Sequence, residues 1–222
     1  MPDSFIVRTD GFSDGDVLFA TRRYDRPFIF QNYDLHGLPL PCRLHQEDFA
    51  QALGIAASDK YEKGPEHYLL RMFELLRTYS ADPIADQMKL WEICIFNYLI
   101  GNTDNHIKNL SLLYGADFQT IRLAPAYDMI STVIYESSTE DMALHIGGHS
   151  SLRAITRQAF QEEAKSIGLG IPLAMRRIDF LATHFEAALL QAETVLMRQG
   201  FTQVSALREQ ILQKGGIRNE RK

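Results

Sequence analysis

The sequence has few of the features that mark secreted, membrane-spanning or metal-thiolate proteins. It contains two cysteines, Cys42 and Cys94, in 222 residues, and their spacing fits neither a metal site nor a disulfide framework. No apolar run approaches the roughly 20 residues that cross a bilayer, and the opening segment MPDSFIVRTD lacks a signal-peptide pattern. The net charge of −5 gives no general attraction to nucleic acid or anionic membranes. We therefore expect a cytoplasmic protein without a membrane partner.

Groups that commonly hold the phosphates of a nucleotide are also missing from the N-terminal part. No lysine precedes Lys60. Gly11 and Gly15 lie in GFSDGD, a turn-forming segment without the glycine pattern of a phosphate-binding loop. If this protein binds a nucleotide, we expect residues outside this N-terminal part to contact the phosphates.

The rest of the composition is ordinary for a globular protein, with 45% hydrophobic and 23% charged residues. The patterns predict strands at 5–8, 17–21, 110–114 and 120–123, and helices at 45–53, 65–79, 83–100, 156–167, 172–198 (which could be broken) and 204–213. We expect an irregular segment at 27–41, a loop at the glycines of LHIGGHS and a frayed C-terminal tail. The predicted fold class is mainly α with a small β element.

Apolar residues at helical spacing predict which sides of two helices face the core. They are Leu69, Met72, Phe73 and Leu76 in the first helix and Ile84, Met88, Trp91 and Ile95 in the second. Gly101 is placed to end the second helix. In the predicted helix at 45–53, Glu47 and Asp48 fall in the first turn, where carboxylates suit the helix dipole.

A cluster of polar residues, GNTDNHIKN, occupies 101–109, directly after the second of these helices. Asp104 and Asn109 are five residues apart, and Asp128 lies 24 residues beyond Asp104, after a predicted hairpin. In protein kinases, an Asp orients or deprotonates the attacking hydroxyl, while an Asn at this spacing and a later Asp hold magnesium against the phosphates. The pattern suits phosphoryl transfer, although a capped and solvated loop can have the same spacing.

Four segments together resemble the HipA family of bacterial protein kinases, the toxins of HipBA-type toxin–antitoxin modules. They are FATRRYDR, RLHQEDFAQALG, GNTDNHIKNLSLLY and LAPAYDMIST. The resemblance covers roughly 2–212 and implies the C-lobe of a HipA-like protein kinase fold with most of the N-lobe missing. Residues 1–40 would be a residual N-lobe hairpin and hinge. Residues 41–222 would be the helical C-lobe with the catalytic loop and metal-binding segment.

The resemblance also implies roles for individual residues. Asp104 would be the catalytic base, and Asn109 and Asp128 would bind the metal. The residues expected at the bound nucleotide are Arg22, Arg23 and Tyr24 in the hinge, His106, Ile107, Lys108 and Asn109 on the phosphate side, and Tyr127. The family often has an acidic residue where Arg22 stands. If the hinge binds adenine through backbone N–H and C=O groups, that change need not abolish binding.

The implied activity is transfer of the ATP γ-phosphate to a protein serine or threonine, with ATP and Mg²⁺ as cofactors. Implied partners are a protein substrate such as an aminoacyl-tRNA synthetase, a HipB-like helix-turn-helix antitoxin that links the protein indirectly to DNA, and a chain bearing an N-lobe. Because the phosphate loop and nucleotide lysine are absent, three alternatives stay open: one half of a split kinase, a truncated kinase, or an inactive remnant that binds an antitoxin or target protein. A two-metal phosphatase is disfavoured because further ligands are missing.

Overall fold

The computed structural model describes residues 2–8, 17–26, 34–35, 38–39 and 43–217. Predictions for the turn at 11–16, most of the segment 27–41, Cys42 and the last five residues lie outside this part of the chain. Within it, no helix is both long and apolar enough to cross a membrane.

The described fold is mainly helical with small antiparallel sheets, as predicted. The helices are α1 Phe49–Ala52, α2 Tyr68–Tyr79, α3 Pro83–Ile100, α4 Arg157–Ser166, α5 Ile171–Arg198 and α6 Val204–Lys214. The strands are β1 Ser4–Arg8, β2 Val17–Thr21, β3 Asp34–Leu35, β4 Leu38–Pro39, β5 Gln46–Asp48, β6 Ser111–Tyr114, β7 Ile121–Leu123, β8 Asp141–Ile146 and β9 His149–Ser151. β1 pairs with β2, β3 with β4 and β8 with β9, while β5, β6 and β7 form a three-stranded sheet in that order.

Helix α3 is the centre of the core, and its bounds agree with the prediction. Asp82 caps its N-terminus by accepting a hydrogen bond from the Ala85 amide, and Gly101 ends it with a φ of 70°. Trp91 is fully buried and donates from Nε1 to the Ala174 carbonyl of α5 at 3.1 Å. The polar segment at 101–109 therefore begins at the end of a capped, largely buried helix.

Most predicted core positions are buried, with one exception. In α2, all four predicted apolar residues are at most 2% exposed. In α3, Trp91 and Ile95 are buried and Met88 packs against the core, but Ile84 is 81% exposed because it lies in the first turn, outside the packed face. Cys94 is a buried free thiol that packs in the core.

The prediction of a helix over 45–53 is wrong for its first half. Residues Gln46–Asp48 form β5, which pairs antiparallel with β6 so that Asp48 lies opposite Ser111. Asp48 then caps the short helix α1 through a capping box with Gln51. Glu47 is thus a strand residue, because pairing with a distant strand prevails over local helical preference.

The loop expected at LHIGGHS is the turn between β8 and β9. Gly147 and Gly148 have φ values of 59° and 77°, as a two-residue hairpin turn requires. A Cβ on Gly147 would lie 2.5 Å from the Ala159 carbonyl oxygen, so only glycine allows the turn to pack on α4.

Two helices differ slightly from the sequence-based expectation. Helix α2 begins at Tyr68 rather than residue 65, and α5 is continuous rather than broken.

Candidate active site

The polar loop after α3 is buried and internally hydrogen-bonded. Asn102 and Thr103 are at most 3% exposed. Asn102 Nδ2 donates to Asn97 Oδ1 of α3 at 2.8 Å and to the Asp128 carbonyl at 3.0 Å, and its Oδ1 accepts from the Asp104 amide at 3.3 Å. One side chain thus joins the helix end, the loop and the segment that carries Asp128. Sequence analysis did not single out Asn102.

Asp104, Asn109 and Asp128 come together at this loop. Asn109 Nδ2 donates to Asp128 Oδ2 at 2.8 Å and to the Asp104 carbonyl at 3.1 Å. Asp128 has a left-handed φ of 54°, a conformation that is uncommon for residues with a side chain and is most often held by Asn or Asp. The Asn102 bond to its carbonyl helps to hold it there.

The Asp104 carboxylate lies on the wall of a cleft of about 620 Å³. The Tyr61 hydroxyl donates to Asp104 Oδ1 at 2.8 Å, and no described residue is seen donating to Oδ2. The Lys60 ammonium lies 4.8 Å from the centre of the Tyr61 ring, a distance typical of a cation–π contact. No motif indicated Tyr61, because it is 43 residues from Asp104 in sequence.

His106 packs against Tyr61. Its ring meets the edge of the Tyr61 ring at 5.5 Å between centroids, and the residue is 8% exposed. Burial, together with the nearby Lys60 charge, lowers the pKa of His106, so the imidazole is neutral at pH 7. A neutral, buried ring is suited to positioning Tyr61 rather than to carrying charge.

The side chains of the two residues after His106 are engaged within the protein. The Ile107 side chain is fully buried in the core, which leaves only its backbone for contact with a ligand. Lys108 Nζ lies 3.2 Å from Asp48 Oδ2, so its charge is paired within the protein.

A chain of hydrogen bonds runs from the expected hinge to the loop. Tyr24 donates to Gln46 Oε1 at 2.8 Å, and Gln46 Nε2 donates to Ser111 Oγ at 3.1 Å. The Ser111 and Tyr127 hydroxyls are 2.6 Å apart, and Tyr127 donates to the Lys108 carbonyl at 3.0 Å. Burial raises the pKa of Tyr24 to about 12 and also raises that of Tyr127, so both keep their protons. Tyr24 and Tyr127 therefore belong to one network.

Arg22 and Arg23, which were expected at the hinge, both form contacts with nearby residues. The Arg22 amide donates to the Asp3 carbonyl at 2.8 Å, which continues the β1–β2 pairing. Arg23 forms a two-point ion pair with the buried Asp25, and this pair lowers the Asp25 pKa. The backbone N–H of Arg22 is thus already used within the hairpin.

Comparison with known proteins identifies the family. A family model described as the HipA-like C-terminal domain matches residues 1–190. The chain belongs to this HipA-like family.

Relatives of the HipA-like domain carry kinase or putative-kinase names. A Sinorhizobium fredii protein named "Putative kinase" is 41% identical over 168 residues, which are 75% of this chain and 37% of that protein. The serine/threonine-protein kinase toxin HipA of Shewanella oneidensis is 30% identical over 183 residues, which are 76% of this chain and 40% of the toxin. The chain therefore spans less than half the length of these relatives.

A solved structure confirms the fold. It contains Shewanella oneidensis HipA and HipB with operator DNA, and the match has a TM-score of 0.76. The match covers 96% of this chain and 50% of that chain at 23% identity. The HipA-like domain thus has the fold of about half of a longer HipA-type chain.

The oxygen donors of Asn109 and Asp128 are of the type that magnesium binds. Among the described residues, no group of three or more His, Cys, Asp or Glu side chains could hold a metal ion. Magnesium is often bound by one or two carboxylates together with substrate phosphates and waters. Asn109 Nδ2 donates to Asp128 Oδ2, so the Asp128 carboxylate and the Asn109 amide oxygen lie close enough together to be candidate ligands of such a site.

Proposed function

We propose that this HipA-like domain is the C-lobe of a serine/threonine protein kinase that transfers the ATP γ-phosphate to a protein hydroxyl, in the cytoplasm, as the toxin of a toxin–antitoxin module. The observation that carries the proposal is the contact between Asn109 and Asp128 beside Asp104. The names of the relatives support the same reaction class.

In this proposal, Asp104 orients the acceptor hydroxyl and accepts its proton. Tyr61 holds Oδ1 of the carboxylate, which leaves Oδ2 for the hydroxyl that enters the cleft. Asn109 and Asp128 would hold magnesium, which neutralises charge on the phosphates when ATP is bound. The Asn109 bond to the Asp104 carbonyl keeps the base and the metal ligands in register.

The proposed kinase needs an N-lobe, which would supply the phosphate loop and the nucleotide lysine. Lys108 is paired with Asp48, and no lysine precedes Lys60 in the 222 residues. A chain bearing an N-lobe is therefore a proposed partner. A HipB-like antitoxin is a further proposed partner, because the structural relative is in complex with HipB and operator DNA. The acceptor protein would be a target such as an aminoacyl-tRNA synthetase.

A second candidate function is binding without catalysis. The same absence of a nucleotide lysine favours a domain that keeps the C-lobe surface and binds an antitoxin or target protein without phosphorylating it.

Calorimetric titration with a magnesium complex of a non-hydrolysable ATP analogue tests the kinase proposal. We expect binding by the chain, alone or with an added N-lobe, and a loss of about tenfold or more in Asp128→Asn, since a charged metal ligand is removed. Asp179→Asn is the matched control, because Asp179 is exposed and pairs with Arg157 on α4. A folded chain that binds no nucleotide under either condition would leave the non-catalytic function.

A further inference from the structure

The cleft at Asp104 adjoins a second cavity. The first, of about 620 Å³, contains Asp104, Tyr61 and Asp141 in its lining. The second, of about 380 Å³, is lined by residues that include Pro65, His67, Gly148 and Glu163. Glu62 and His145 line both cavities, so the two adjoin across a shared wall.

The combined cleft is acidic. Asp104, Glu62, Asp141 and Glu163 line it, and among the described residues no lysine or arginine does. Asp141 has no salt bridge within the part of the chain that the structure describes. The basic side chains in the described lining are therefore His67 and His145, and a cationic group entering the cleft would meet four carboxylates.

Glu62 is already fully engaged by the protein. It is 8% exposed. Its Oε1 accepts from the Tyr68 amide at 3.1 Å, and its Oε2 accepts from the His145 amide at 2.7 Å. It thus fixes the start of α2 and strand β8 as walls of the second cavity.

Glu163 differs from Glu62 because one of its oxygens is unused. The residue is 2% exposed, and its Oε2 accepts from the Gly147 amide at 2.8 Å. Its Oε1 is buried without a hydrogen-bond partner, although the residue lines the second cavity. An unsatisfied buried carboxylate oxygen is costly, and a charged donor from a ligand would offset that cost.

The geometry favours an organic cation over a metal ion. The described residues contain no group of three or more acidic, histidine or cysteine side chains placed to hold a metal, and both Glu62 oxygens are engaged by backbone amides. An ammonium or guanidinium group needs only one free acceptor and an acidic surrounding.

We propose that the Glu163 cavity binds a lysine or arginine side chain of the acceptor protein while the acceptor hydroxyl lies at Asp104. Glu62 and His145 border both cavities, and in this proposal one bound segment crosses them. This inference rests on the proposed kinase function for the meaning of the Asp104 cleft, and it adds the substrate class: a serine or threonine segment with a nearby basic residue.

Peptide binding tests this substrate class without requiring phosphoryl transfer. Short fluorescent serine peptides, each with one lysine or arginine placed at a different distance from the serine, are titrated with the full chain and read by anisotropy. At the preferred position, we expect replacement of the basic residue by norleucine to weaken binding about tenfold. In Glu163→Gln, the amide oxygen can still accept from Gly147. Replacing the basic residue of the peptide by norleucine should then change the binding constant about twofold or less.

Controls separate this effect from a structural one. Glu162→Gln removes a neighbouring exposed carboxylate of α4 and should behave like the parent chain. A disturbed turn at Gly147 would weaken the basic and norleucine peptides equally, and that outcome would overturn the proposal. Competition by millimolar MgCl₂ at constant ionic strength would also overturn it, since it would indicate an inorganic ion in the cavity. Calorimetry of the parent chain with the magnesium–nucleotide analogue records failure of the kinase proposal separately, because that measurement needs no peptide.

Discussion

Replacing Asn102 with alanine is expected to damage the candidate active site more than its single amide suggests. The side chain is 1% exposed and forms hydrogen bonds to Asn97 Oδ1, the Asp128 carbonyl and the Asp104 amide. These three bonds connect α3 to the proposed base and to the proposed metal ligand. Asn102→Ala removes all three without touching a proposed ligand directly.

The magnitude follows from these contacts. Three hydrogen bonds at about 1 kcal/mol each give about 3 kcal/mol, and the buried Asn97 Oδ1, left unsatisfied, adds about 1 kcal/mol or more. We therefore expect the free energy of unfolding to fall by about 4 kcal/mol. Because the Asp128 carbonyl loses its donor, magnesium–nucleotide binding should also weaken about tenfold.

Chemical denaturation and calorimetry measure the two effects. Asn97→Ala/Asn102→Ala should be less destabilised than the sum of the single variants, by about 1–2 kcal/mol, because both partners of one buried bond are removed together. The reasoning is refuted if the two losses add fully, or if Asn102→Ala changes the free energy of unfolding by less than about 1 kcal/mol.

Three further changes have defined outcomes. Tyr61→Phe removes the donor to Asp104 Oδ1, so phosphotransfer by a complete kinase should show kcat lowered about tenfold with KM little changed. Burial raises the pKa of Glu163 above its ordinary 4.5, although the Gly147 amide acts to lower it and Glu62 and His67 also face the group. The folded state therefore binds this proton more tightly than the unfolded state, and the free energy of unfolding should fall as pH rises above 4.5. Denaturation measured across pH should show this slope in the parent chain but not in Glu163→Gln. Burial acts to raise the pKa of Asp86, but Arg122 and other donors lower it below 3.8 overall; Asp86→Asn should therefore be destabilising at neutral pH, and the difference should vanish as pH falls through the lowered pKa.

The parts of the fold that local sequence determines were predicted well. Helix α3 begins after Asp82 and ends at Gly101 because a cap, a proline and a left-handed glycine act within a few residues of each end. The β1–β2 hairpin likewise depends on two adjacent strands. Asp104, Asn109 and Asp128 were identified by spacing, and the structure places them in contact; their chemical roles stay predictions.

What sequence analysis missed depends on distant partners. Strand β5 forms because β6 lies beside it, and Gln46 contacts Ser111 across 65 positions of the chain. Tyr61 reaches Asp104 only in the folded protein. The free oxygen of Glu163 is likewise invisible in sequence, since a glutamate on a polar helix is ordinarily exposed.

The left-handed backbone at Asp128 bears on how the proposed catalysis could be lost during evolution. Asparagine and glycine tolerate this conformation about as well as aspartate or better, and either can replace aspartate through one base change in its codon. Both remove the carboxylate while the backbone stays unstrained. A gene that no longer needs phosphoryl transfer therefore has a short mutational path to a stable protein that retains its binding surfaces.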